Sequence, residues 1–106
     1  MWLAPEVMKN EKYTEKADVY SFGVILWEMV AQQQFFEGEK FMAQLEKKVL
    51  AGIRPEIPSS CLPEVAELIK DCWQGNYENR PAFKTVARRV HAIMTEHYPE
   101  EADYDV

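Results

Sequence analysis

Between Ala17 and Ala31 apolar side chains fall on almost every face of a 3.6-residue repeat, the pattern of a helix surrounded by protein. Thr14, ahead of Glu15-Lys16-Ala17, is placed as its N-cap, because a threonine oxygen can accept from a free amide of the first turn. The run Gln32-Gln33-Gln34 breaks the pattern. After Gly38, the residues Phe41, Met42, Leu45 and Val49 return at helical spacing with Gln44, Glu46, Lys47 and Lys48 opposite, which predicts an amphipathic second helix. Glu37 and Glu39 near its start and Lys47 and Lys48 near its end suit the helix dipole, and Gly52 is placed to terminate it.

The segment Ile53-Arg54-Pro55-Glu56-Ile57-Pro58 reads as an extended connector, since each proline lacks an N–H and restricts the residue before it. Pro63 opens a third helix in which Val65, Leu68, Ile69, Cys72 and Trp73 share one face, ending near Gly75. Pro81 opens a fourth, with Phe83, Val86, Ala87, Val90, Ile93 and Met94 in one apolar stripe that fades around His97. No segment reads as a strand and no signature returns at a fixed period. The expectation is an all-α, non-repetitive chain with about four main helices and no sheet, followed over residues 98–106 by an acidic, disordered tail.

Composition narrows the function classes. The chain has 106 residues, 47% of them hydrophobic, enough for one modest core. A formal net charge of -6, with adjacent basic residues only at Lys47-Lys48 and Arg88-Arg89, argues against a nucleic-acid partner. The apolar stretch from Val19 to Trp27 is interrupted by Ser21 and Gly23 and falls short of the ~20 residues that cross a bilayer, so no membrane role is expected. The first residues show no basic start or apolar signal core, and a cytoplasmic location is the default expectation. Cys61 and Cys72 accompany no CxxC or Cys/His pattern and read as reduced, packed thiols. His91 and His97 have no third ligand in evidence, so no metal site is expected. Trp27 and Trp73 read as core, and Tyr104 and the Val106 carboxylate as groups of a solvated tail.

Two charged residues stand out. Glu6 and Arg80 lie at opposite ends of the chain, each beside a proline and flanked by apolar segments that read as buried. Buried charges need partners, which predicts a long-range ion pair between them. The chain contains no glycine-rich phosphate loop and no paired nucleophile and base, so no catalytic or cofactor-binding residue is assigned.

Ala4-Pro5-Glu6, Asp18-Val19-Tyr20-Ser21-Phe22-Gly23-Val24 running into Leu26-Trp27-Glu28, then Arg54-Pro55, Cys72-Trp73 and Arg80-Pro81, together resemble the C-terminal lobe of a protein kinase, with the order and spacing of that family. The middle motif is closer to the tyrosine-kinase-like serine/threonine kinases than to the tyrosine kinases. The likeness spans residues 1–97 and implies the helical part of the kinase fold from the end of the activation segment to the last helix. It further implies that Met1, Trp2 and Leu3 belong to a substrate-facing loop, with Trp2 and Leu3 touching peptide. Glu6 would pair with Arg80 to hold the activation segment, and Asp18 would accept backbone hydrogen bonds from the catalytic loop.

In that family the glycine-rich loop, the ATP-anchoring lysine, the catalytic aspartate and the Asp-Phe-Gly metal ligand precede Ala-Pro-Glu. None is in this chain. The resemblance therefore implies ATP and Mg for an intact parent enzyme, none for this chain, and two partners: the rest of the kinase domain and the parent's protein substrate. Met1 stands where relatives carry a basic or small residue, which suggests a start inside a domain. The alternative is a freestanding, non-catalytic helical interaction module derived from a kinase lobe.

Overall fold

The computed structural model describes residues 2–11 and 13–102, with side chains described to Glu100. Six α-helical segments follow one another: α1 (Pro5–Met8), α2 (Glu15–Ala31), α3 (Met42–Leu50), α4 (Pro63–Cys72), α5 (Phe83–His97) and α6 (Pro99–Ala102), with a 3₁₀ turn at Tyr77–Asn79 before α5. The four long helices are those read from the hydrophobic pattern, and no strand occurs among the described residues.

Helix α2 is the axis of the structure, in contact with α4, α5 and the 3₁₀ turn. Thr14 is its N-cap, with its Oγ1 accepting from the Lys16 amide at 3.2 Å, and Gln32 closes it in the left-handed region at φ 57°. Its side chains feed two cores. On one side Tyr20, Val24 and Trp27 pack with Phe35, Val49, Ile69 and Trp73. On the other Val19 packs with Leu68, Cys72 and Val86. Helix α4 presents residues to both, which is why its apolar face is broad.

Two segments differ from the sequence expectation, the start of α5 and the tail. Glu37 and Glu39 lie ahead of α3, near its start, and Glu39 forms an ion pair with Lys48 toward the far end of that helix. Phe36 takes a left-handed conformation (φ 51°), which bends the chain before α3 can start. Helix α5 begins at Phe83 rather than Pro81, because Arg80 and Ala82 are held in extended conformation. Within the segment read as a tail, Pro99–Ala102 form one helical turn. Tyr104 and Val106 lie outside the described residues. Gly52, at φ 86°, ends α3 as expected: its amide bonds Val49 and the next one, of Ile53, bonds Lys48.

Helices α2 and α4 approach closely at Gly23, where an added Cβ would stand 2.7 Å from Cys72 Cβ and 3.4 Å from the Trp73 amide. The absence of a side chain thus sets the spacing of α2 and α4. Cys72 is completely buried at this contact, and burial pushes its thiol up to about 11. Overpacking a close-packed core costs roughly 1–3 kcal/mol. Gly23→Ala is expected to lower stability by about that amount in urea denaturation, whereas Gly38→Ala, with nothing within 4 Å, should leave the midpoint unchanged.

Candidate functional site

The polar centre of the molecule is built around Arg80, which is 2% exposed. Pro81 and the 3₁₀ turn Tyr77–Asn79 hold its backbone extended, with its amide bonding the Tyr77 carbonyl at 3.2 Å. Nη1 and Nη2 each donate to one oxygen of Glu6 at 2.8 Å, a bidentate pair. Glu6 is itself 2% exposed, on the turn of α1 that Pro5 initiates. The remaining donors reach carbonyls: Nε to Gln74 at 2.7 Å, Nη1 to Lys16 at 2.8 Å and Nη2 to Gly75 at 3.3 Å. A guanidinium has five N–H groups, and all five are used. In return, Lys16 Nζ donates to the Arg80 carbonyl at 2.7 Å.

Tyr20 lies beneath this pair. The Arg80 and Arg54 guanidinium carbons stand 5.2 Å and 5.4 Å from its ring centroid. Arg54 is fixed in turn by the carbonyls of Trp73, Val49 and Ile53, each at 3.0 Å. The Tyr20 hydroxyl is buried without a hydrogen-bond partner, and burial, opposed by the two guanidiniums, pushes it up to about 12. An unpaired buried hydroxyl costs ~1–3 kcal/mol, while a desolvated cation–π contact is worth up to about 2 kcal/mol, so the ring and not the hydroxyl explains this residue.

A second polar node is Glu28 on α2. Its Oε2 accepts from the Trp2 indole at 2.9 Å and from the Phe35 amide at 2.8 Å, and Trp2 meets the Phe35 ring edge-on at 5.2 Å. Ser21 Oγ donates to the Trp2 carbonyl at 2.7 Å. The chain from Trp2 to Glu6 is therefore bonded to α2 at its start and to Arg80 at its end.

The sequence-derived residues fall into distinct places. Glu6 and Arg80 are in contact. Leu3 is 43% exposed and presents its side chain outward. Trp2 is half-buried with its indole turned onto Glu28 and Phe35. Asp18 is exposed on the first turn of α2, and its Oδ1 accepts from the Tyr13 hydroxyl at 2.7 Å, a hydrogen bond that raises the Tyr13 pKa. Lys16, Glu28 and Tyr20 also belong to the network; the last two stand in the motifs quoted above, but no pairing is expected of any of the three from the sequence alone. Each acts through a partner at least 7 residues away, which hydrophobic periodicity does not report. The histidine reading changes as well: Glu64 and Glu96 gather with His97, their donor atoms lying within 4.8 Å of one another. Folding, not spacing, brings the start of α4 to the end of α5.

A family model described as protein tyrosine and serine/threonine kinase matches residues 1–90. The chain belongs to this kinase family. Among its relatives in Dictyostelium discoideum, "Probable serine/threonine-protein kinase roco7" is 39% identical over 97 residues, which cover 88% of this chain and 4% of that protein. "Probable serine/threonine-protein kinase roco9" is 38% identical over 107 residues, covering 98% of this chain and 3% of that protein. The kinase chain described here thus spans a small fraction of the length of the relatives it matches.

The cations in the network, Arg80, Arg54 and Lys16, are committed to Glu6 or to backbone carbonyls. What the arrangement does is hold chain segments in fixed relation.

Glu6→Gln is expected to strand the buried Arg80 charge and cost about 3–5 kcal/mol, read as a fall in the urea midpoint. A loss under about 1 kcal/mol would instead put the pair with exposed surface ion pairs. Tyr20→Phe, which keeps the ring and deletes the unpaired hydroxyl, is expected to leave stability equal or higher by up to about 1 kcal/mol in the same assay.

Proposed function

We propose that this chain is the helical-lobe part of a kinase domain whose intact parent transfers the γ-phosphate of ATP to serine or threonine hydroxyls of cytoplasmic proteins. The observation that carries the reading is the family match over residues 1–90. The serine/threonine preference and the tyrosine-kinase-like subgroup draw support from the names of the relatives and from the Asp18-Val19-Tyr20-Ser21-Phe22-Gly23 motif. No helix among the described residues is long and apolar enough to cross a membrane, which accords with an activity on cytoplasmic proteins.

In this reading ATP and Mg are held by the portion of the domain that precedes Ala4-Pro5-Glu6, and this chain supplies none of their ligands. Its contribution is positional. Phosphoryl transfer depends on placing groups and stabilising developing charge, so a rigid base for the activation segment serves catalysis without touching the reacting atoms. Glu6 and Arg80 anchor that segment, Glu28 and Ser21 fix the Trp2 backbone and indole, and Leu3 is left outward to meet the substrate peptide. Asp18 faces the catalytic loop.

The rest of the domain is the partner this chain is shaped for. Ile25 and Met29, four residues apart on α2, are 51% and 64% exposed, and Phe22 extends the same face. A central helix with an open apolar flank is a surface made to be covered. The extents of 44 × 29 × 19 Å and a radius of gyration of 14.5 Å, against about 13 Å for a compact domain of this length, fit an open slab.

The test compares the full parent with the 106-residue chain in ATP-Mg. The parent is expected to phosphorylate a protein substrate on serine or threonine, identified by phosphoamino-acid analysis, and the chain alone to show no transfer above background. Phosphotyrosine as the sole product, or turnover by the chain alone, would overturn the proposal. Ile25→Lys with Met29→Lys should reduce self-association of the chain in size-exclusion chromatography and abolish the parent's activity.

A further inference from the structure

Glu64 stands in the first turn of α4, after Pro63, and Glu96 and His97 in the last turn of α5. Packing of α4 on α5 brings their donor atoms within 4.8 Å of one another, with His97 Nε2 at 2.7 Å from Glu64 Oε2. Around a tetrahedral ion with bonds of roughly 2.0–2.2 Å, neighbouring donors stand about 3.4 Å apart. Three side chains already this close reach that spacing by rotation of their own torsions, with the backbone unmoved.

The charges beside the cluster lean negative, although Glu67 is paired with Lys70 at 3.7 Å. Glu64, Glu67 and Glu96 line one groove of about 320 Å³ between α4 and α5, together with Ala92, Ile93 and Arg89. Arg89, the one fixed cation in that lining, is drawn away to Asp71 at 2.8 Å. Two carboxylates and an imidazole converging beside an open groove leave room for a dication and for a water completing its coordination.

We propose that Glu64, Glu96 and His97 bind a zinc-class divalent cation, with the remaining coordination position open to water from the groove. The donor set selects the class. An imidazole nitrogen with two carboxylates suits zinc and its late first-row neighbours, whereas magnesium and calcium favour sites made wholly of oxygen. The bound ion replaces the His97–Glu64 hydrogen bond with two coordinate bonds and ties the start of α4 to the end of α5. It lies away from the Glu6–Arg80 network and carries a structural, not a catalytic, consequence.

The experiment titrates ZnCl₂ into the full 106-residue chain by calorimetry, with Co²⁺ absorption reporting the coordination geometry. One ion per chain is expected. His97→Ala, Glu64→Gln and Glu96→Gln should each weaken zinc binding about tenfold or more, while His91→Ala and Cys61→Ser should leave it unchanged. Zinc should also raise the melting temperature of the parent sequence and not that of His97→Ala. Binding lost in Cys61→Ser, affinity unchanged from the unsubstituted chain in the three ligand variants, an equal response to MgCl₂, or no heat at millimolar zinc would each overturn the assignment. All three ligands are at the surface, so unchanged circular dichroism of the variants separates loss of the site from loss of the fold.

Discussion

A guanidinium cannot be taken out of water unless every one of its donors finds an acceptor, and that requirement organises this lobe. Desolvating two charges costs several kcal/mol each, and their attraction repays it only with near-perfect geometry. Here the geometry is supplied by four separate pieces of chain: the turn at Glu6, the start of α2 at Lys16, the exit of α4 at Gln74 and Gly75, and the extended residue Arg80 itself. Any displacement of one piece leaves a buried polar group unpaired. The pair therefore contributes less as an attraction than as a constraint, since it is compatible with one arrangement of the backbone around it.

The apolar packing is subordinate to the same arrangement. Helix α2 can be buried on two sides because α4 approaches it at Gly23, and α4 is held there by its exit loop, whose carbonyls Arg80 and Arg54 collect. Tyr20 joins the two levels: its ring belongs to the core around Val24 and Trp27, and its face meets both guanidiniums. Mechanically the lobe is a base that keeps the stretch before α1 in place.

Much of this was legible in the order of residues, and the exceptions have physical causes. Helices α2 to α5 could be read because burial stamps a period on the chain, and Thr14 and Gly52 because a cap and a left-handed terminator each demand particular chemistry. Glu6 and Arg80 could be paired because charges flanked by apolar segments have few other ways to be stable. The left-handed Phe36 was not legible because it is a tertiary choice, stabilised by packing against the core and by Lys48 over its ring at 5.5 Å, which no local preference of phenylalanine announces. Trp2, Glu28 and the Glu64–Glu96–His97 group escaped for a related reason. Their meaning lies in contacts across 26 and 33 residues, and periodicity carries no information at that range.

One detail of the Glu28 node has a wider bearing. The Trp2 indole and the Phe35 amide converge on the same oxygen atom, Oε2. The stretch leading into Ala4-Pro5-Glu6 and the loop that carries Gln32-Gln33-Gln34 are thereby geared together: an acceptor shared by two donors cannot turn toward one without slackening its hold on the other. Variation in that surface loop is thus transmitted, through a single atom, to the residue preceding the outward-facing Leu3.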